Sequence, residues 1–168
     1  MKNQKIIISG PPGSGKTTII NALQEKGYNC LEEINPAKIN ESKIKNNKNL
    51  LSDFLFKCRK QQYNEFANQL AFYDRSMIDV VAYLNYWNIQ YPKNWNQIIE
   101  NCHYAKNVLY TPSWKDIYKT SMNRLETYKE AKLIDSFLRE TYLDFGYNII
   151  EIPKLGLEKR IDFIINQI

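Results

Sequence analysis

The sequence predicts an α/β fold, a parallel sheet of about five strands covered by helices on both faces. Three observations predict it. Five short runs, at residues 5–8, 28–31, 69–73, 107–110 and 147–152, are dominated by aliphatic, β-branched or aromatic side chains, as strands buried on both faces are. Segments with helical spacing separate these runs, the pattern of a doubly covered parallel sheet. A glycine-rich turn joins the first run to the first helical segment, where such folds place their ligands.

The elements follow in order. Residues 5–8 (KIII) are a short β-branched run read as a buried strand, and residues 17–26 carry Ile19, Ile20 and Leu23 at helical spacing. Gly27 is a helix stop of the kind that tolerates a left-handed backbone. Residues 28–31 read as the second strand, ending at Glu32 and Glu33. The polar stretch 40–49 (NESKIKNNKN) is mixed in charge and reads as a solvated loop or helix start. Leu50, Leu51, Phe54, Leu55, Cys58 and Phe66 recur at helical spacing, so residues 50–68 are expected to be helix. Residues 69–73 (QLAFY) are a third strand ending in Asp74, followed by a helix over 77–88. Pro92 breaks the chain before a helix over 95–104. The fourth strand, 107–110 (NVLY), stops at Pro112; a long helix is expected over 124–145, with Gly146 as its cap. The fifth strand, 147–152 (YNIIEI), ends at Pro153, and an amphipathic helix over 157–168 closes the sequence. No repeat or linker divides the chain, which reads as one domain over residues 1–168.

The chemistry concentrates in SGPPGSGKTT at residues 9–18. Gly10 through Thr17 satisfies G-x-x-x-x-G-K-[ST], the Walker A motif. Gly10, Gly13 and Gly15 permit positive φ and let backbone N–H groups approach an anion. Pro11, Pro12, Ser14 and Thr18 complete the cradle, and the helix that begins near Lys16 turns its N-terminal dipole toward the phosphates. Lys16 is placed to reach the β- and γ-phosphates, and the Thr17 hydroxyl to ligate Mg²⁺. The fold class therefore narrows to the P-loop NTPase fold, with ATP and Mg²⁺ as expected ligands.

Asp74, at the end of a buried strand, fits the Walker B role of holding Mg²⁺. An N-cap for the helix that starts near Ser76 would explain it equally well. Glu33 ends the neighbouring strand and could take the proton of an acceptor hydroxyl, or it could be a solvated turn carboxylate. Arg75 could contact an acceptor or a phosphate, or form a surface ion pair. Residues 114–128 (WKDIYKTSMNRLETY) follow the fourth strand and carry Lys115, Lys119 and Arg124. A mobile lid there could bring a cation to the transferring phosphoryl group; the alternative is a polar helix surface. Tyr83, Tyr86, Trp87 and Tyr91 could stack an acceptor ring or pack in the core.

Composition excludes several classes. Hydrophobic residues make 43% of the 168 and charged residues 24%, ordinary for a globular domain. No apolar run approaches the ~20 residues of a membrane helix, and the start, MKNQKIIISG, is too short in apolar residues for a signal peptide. The three cysteines, Cys30, Cys58 and Cys102, are scattered without CxxC spacing, which suits free thiols and a cytoplasmic setting. His103 is the one histidine, so a zinc site is not expected. The net charge of +5 is spread along the chain without a dense basic block, so no nucleic-acid partner is expected.

Taken together, SGPPGSGKTTIINALQEKGY, FYDRSMIDVVAYLNYW, LYTPSWKDIYKTSMNRLETYKEA and IPKLGLEKRIDFII resemble a family of small predicted ATPases and kinases of P-loop AAA type, similar to the kinase domain of nicotinamide-riboside kinase/regulator proteins. The resemblance implies phosphate and metal roles for Gly13, Gly15, Lys16, Thr17 and Thr18, and a metal or catalytic role for Asp74. It equates Glu33 with the family's glutamate after the second strand and Arg124 with a lid arginine. Leu125 and Pro36 stand where the family often has further arginines, which weakens the anion contacts.

Two functions remain. One is a kinase that transfers the ATP γ-phosphoryl to a nucleoside-like or other small-molecule hydroxyl, with Lys16 and Arg124 neutralising charge, Thr17 and Asp74 holding Mg²⁺ and Glu33 or Asp74 as base. The other is a regulatory ATPase or switch without an acceptor. No N/TKxD-type guanine-reading motif follows the fourth strand, which favours ATP, and the lid-like segment favours transfer. Lys16→Ala is expected to abolish turnover and to weaken triphosphate binding more than diphosphate binding. Equal ATP affinity in variant and wild type, measured by calorimetry, would remove the cradle assignment.

Overall fold

A computed structural model describes residues 4–35, 39, 41–66, 68–118 and 126–168. Five strands, β1 (Lys5–Ser9), β2 (Asn29–Leu31), β3 (Ala71–Asp74), β4 (Asn107–Tyr110) and β5 (Asn148–Glu151), form one sheet in the order β2-β3-β1-β4-β5. Every pairing is parallel. The helices are α1 (Lys16–Glu25), α2 (Ser42–Lys45), α3 (Lys48–Glu65), α4 (Met77–Tyr86), α5 (Asn94–Glu100), α6 (Tyr128–Asp144) and α7 (Leu157–Ile165).

Side chains alternate across a strand, and β1 uses that alternation to join two cores. Ile7 packs on one face with Tyr73, Val108, Phe56 of α3, Met77, Val81 and Leu84 of α4, and Tyr142 of α6. Ile6 and Ile8 pack on the other with Phe72, Leu109, Ile19, Ile20 and Leu23 of α1, and Ile161 and Ile164 of α7. Each such aliphatic side chain contributes roughly 1.5–3 kcal/mol on leaving water. Because α4 lies between α3 and α6, it is buried nearly all round, from Met77 to Ala82 and again at Leu84. That is why its sequence carries almost no polar face.

Side chains cap three helices. Asn47 accepts from the backbone N–H groups of Asn49 and Leu50 at the start of α3. Ser76 and Asp79 form a reciprocal capping box on α4, as Thr127 and Glu130 do on α6. The start of α1 differs. Its N-cap is Gly15, which has no side chain to offer, so the first-turn N–H groups there stay uncapped from the side.

Several boundaries differ from the sequence reading. The helix expected over 95–104 ends at Glu100, because the chain beyond it must extend toward β4, and Ala105 already donates to the Lys5 carbonyl at 2.8 Å. The polar stretch at 40–49 holds the short α2, of which the sequence suggested only a helix start. The long helix α6 begins at Tyr128, where the Thr127 cap fixes it; Arg124 and Leu125 lie outside the described residues.

The register decides what meets at the carboxyl edge. Ile8 sits beside both Asp74 and Leu109, and Leu31 beside Tyr73. Two residues beyond that last pair stand Glu33 and Arg75. At the end of β1 the chain turns at Gly10, with φ 147°, and a Cβ added there would lie 2.2 Å from the Thr111 carbonyl oxygen. Gly10→Ala is expected to cost roughly 1–3 kcal/mol, a fall in melting temperature of about 3–10 °C for a chain of this size. An unchanged melting temperature would contradict the packing described.

Candidate active site

The loop between β1 and α1 carries three glycines at positive φ: Gly10, Gly13 at 74° and Gly15 at 88°. Side chains brace it from below. Ser14 Oγ bonds the Pro11 carbonyl at 2.8 Å and the Thr111 hydroxyl at 2.6 Å, and Thr111 donates to the Ser9 carbonyl at 3.2 Å. Lys16 is only 4% exposed. Its ammonium donates to the Pro11 carbonyl at 2.9 Å. Burial, and then the nearby Arg75, push Lys16 down to about 8, while Asp74, Glu33 and Asp79 pull the other way. Pro11 is buried, Pro12 half-buried, and Thr17 and Thr18 open to solvent on the first turn of α1.

Asp74 ends β3 and is buried, and among the described residues neither carboxylate oxygen has a hydrogen-bond partner. An unsatisfied buried carboxylate is costly, and burial pushes Asp74 up to about 6 against the pull of Lys16, Arg75 and Arg59. It is not the helix cap: Ser76 and Asp79 fill that role on α4. Its two unpartnered oxygens suit a divalent cation, for which Thr17 would supply a hydroxyl and nucleotide phosphates further oxygens, as Mg²⁺ sites commonly do.

Glu33 and Arg75 form one unit. Arg75 Nε donates to Glu33 Oε1 at 2.5 Å, and its terminal Nη1 donates to the Gly10 carbonyl at 3.2 Å and to Asp79 at 3.4 Å. The arginine is buried, with φ at 73°, a left-handed backbone that is uncommon for a non-glycine residue. Glu33 keeps about a third of its side chain exposed. Burial works to raise Glu33, but Arg75, Lys16 and Arg59 outweigh it and hold the carboxyl well below its ordinary range. Asp79, buried on α4, is held in turn by Ser9 Oγ at 2.6 Å, the Ser76 N–H at 2.7 Å and the Tyr142 hydroxyl at 2.5 Å. The geometry thus gives a buried and not a surface ion pair for Arg75, with Glu33 paired yet still about a third exposed.

A model of a family described as AAA domain matches residues 5–160. The chain belongs to this family. No curated protein matches the sequence. Solved structures resemble the fold over nearly its whole length. Deoxyadenosine kinase from M. mycoides, with bound dATP, aligns at TM-score 0.73 with 18% identity over 98% of each chain. Thymidylate kinase from Ehrlichia chaffeensis aligns at 0.65 with 13% identity over 99% of each chain. Thymidylate kinase from Candida albicans aligns at 0.65 with 15% identity, over 99% of this chain and 91% of that one. The P-loop α/β sheet is therefore the fold of this AAA domain.

Of the residues expected from sequence, the fold gathers Lys16, Glu33, Asp74 and the loop 10–18 at one edge of the sheet, with Arg75 among them. Arg124 and Lys119 lie outside the described residues; Lys115 starts a 3-10 turn, Lys115–Ile117, and is exposed. The aromatic stripe is half-buried. Tyr83 packs near Trp87, with ring centroids 5.5 Å apart, and faces the Arg75 guanidinium at 5.7 Å. Tyr91 stacks on Trp95.

Sequence reasoning missed three buried charged residues. Arg59 of α3 donates to the Asp74 carbonyl at 2.9 Å, Asp79 anchors Arg75, and Arg160 of α7 lies against the loop. Two had a signal in the sequence: Arg59 continues the buried stripe Ser52–Phe56 at helical spacing, and Ser76-x-x-Asp79 has the form of a capping box.

The raised Asp74 carboxyl sets a pH dependence for the metal-free protein. Its folded value, about 6, lies above the ordinary 3.8, so the folded state binds the proton more tightly and stability falls as pH rises from about 4 to 6. Asp74→Asn lacks this loss. In chelator, the variant should match wild type near pH 4 and exceed it near pH 7 by up to about 3 kcal/mol. A constant difference in melting temperature across that range would contradict the buried, unpartnered carboxylate.

Proposed function

We propose that this protein is an ATP-dependent phosphotransferase that phosphorylates a hydroxyl of a nucleoside-like small molecule. One observation carries the reading: the Glu33–Arg75 pair, at 2.5 Å, stands beside the phosphate loop with about a third of the Glu33 side chain exposed. A nucleotide cradle alone would serve a regulatory ATPase as well. A carboxylate held ionised and partly open at that edge fits an acceptor hydroxyl. The deoxyadenosine kinase and thymidylate kinase folds support the substrate class.

The loop amides and Lys16 bind the β- and γ-phosphates. Mg²⁺, held by Thr17 and Asp74, would supply charge neutralisation at those oxygens. Arg75 occupies one oxygen of Glu33 and keeps it ionised, which leaves Glu33 an acceptor for the substrate hydroxyl. The hydroxyl oxygen bonds to the γ-phosphorus, the bond from that phosphorus to the bridging oxygen of ADP breaks, and Glu33 receives the proton. Asp79, through Ser9 and Tyr142, holds Arg75 in place. Tyr83, beside Arg75, is proposed to wall the acceptor side, and Arg124 to serve as the lid cation.

ADP release measured with a panel of nucleosides and other small alcohols tests the proposal. Turnover should rise with at least one nucleoside, and Glu33→Gln should lower that kcat by about a hundredfold or more while ATP affinity stays within about twofold. Turnover indifferent to every acceptor, yet altered by a protein partner, would replace this reading with a switch.

A further inference from the structure

Arg160 is a buried cation that the mechanism does not use. It sits on the inner face of α7 beside Ile161 and Ile164 and is 8% exposed. Its Nε is buried without a hydrogen-bond partner, and among the described residues its guanidinium makes no hydrogen bond or ion pair. The acidic neighbours on its own helix do not serve it: Glu158 is directed to Lys26, at 3.7 Å, and Asp162 is exposed. Removing a guanidinium from water without an anion is costly. Burial accordingly lowers its proton affinity.

The cation is aimed at the phosphate loop. Its guanidinium carbon lies over the Trp114 ring, 5.6 Å from the centroid. A terminal nitrogen lies 3.0 Å from where a Cβ on Gly15 would stand, and Ile117 Cδ1 is 3.2 Å from the same point. Gly15 is thus the residue that lets Arg160 approach the loop. The flank matters as well. Glu33, Asp74 and Arg75 follow β2 and β3, on one side of β1, whereas Trp114 follows β4 and Arg160 follows β5, on the other. A nucleotide whose terminal phosphate lies toward Glu33 must run its remaining phosphate and nucleoside toward Arg160.

We propose that Arg160, set over Trp114 and admitted by Gly15, binds the α-phosphate of the nucleotide in the loop. The inference rests on the nucleotide reading of the loop but not on phosphoryl transfer. An α-phosphate supplies the anion that the guanidinium lacks, through charge-assisted hydrogen bonds.

The test is calorimetry on the full chain with Mg²⁺, using ADP and inorganic orthophosphate as probes. Orthophosphate has a single phosphate, which the Lys16 end of the cradle takes, and so places nothing at the nucleoside-side position. Arg160→Gln is expected to weaken ADP about tenfold or more and orthophosphate less than about twofold, with Arg160→Lys between wild type and Gln for ADP. The ratio of the two losses controls for folding, because a distorted loop would lose both probes together. Equal losses, or no loss for ADP, overturn the proposal. Selective loss of ADP supports it even where no acceptor is phosphorylated. Wild type that binds neither probe would overturn both this inference and the nucleotide reading.

Discussion

Arg75 is the tie on which the site depends. Its guanidinium joins three segments that are distant in sequence: Glu33 after β2, the Gly10 carbonyl after β1 and Asp79 on the first turn of α4. A buried ion pair is weak evidence for stability, since desolvation offsets much of the attraction. Here its consequence is positional. The left-handed backbone at Arg75 turns the chain sharply out of β3, and that turn brings the side chain back over the ends of the neighbouring strands. Asp79, fixed by Ser9, Ser76 and Tyr142, leaves the guanidinium little freedom to do anything else.

The charge pattern follows from this tie. Lys16, Arg59 and Arg75 face Glu33, Asp74 and Asp79 within one buried cluster. The cations do not act on the two strand-end carboxylates alike. Glu33 has a guanidinium in direct contact and is held strongly ionised. Asp74 has cations near it but, among the described residues, no hydrogen bond to its carboxylate, and burial prevails. On the proposed function the two carboxylates at one sheet edge have different work, Glu33 as the acceptor of a proton and Asp74 as the group suited to a metal. Separation of paired carboxylates by environment is a general route to distinct acid–base roles.

Much of the fold was legible because strands buried on both faces need little besides apolar residues, and every predicted run holds a strand. The edges were less legible, because they depend on partners. Residues 69 and 70 read as strand, but pairing with both neighbours begins at Ala71, opposite Lys5 and Asn29. The loop glycines, Lys16 and Asp74 could be found from local pattern, because phosphate binding demands local backbone geometry. Arg59 and Arg160 could not be assigned in that way: their partners lie 15 residues away at the Asp74 carbonyl, in one case, and across the fold at Gly15 and Trp114 in the other. For Arg59 alone, its place on the buried stripe of α3 was the available sign. For Asp74 the local pattern left cap and metal roles open, and the capping box at Ser76 and Asp79 removes the cap role.

On the proposed function the γ-phosphoryl group goes to an organic hydroxyl and not to water. Phosphorus NMR of the protein with Mg-ATP and a mixture of deoxynucleosides reads this directly. A new phosphomonoester resonance, split by the protons on its ester carbon, is expected to grow in step with ADP while inorganic phosphate stays low. Growth of inorganic phosphate alone, equal to ADP and unaffected by the nucleosides, would contradict it.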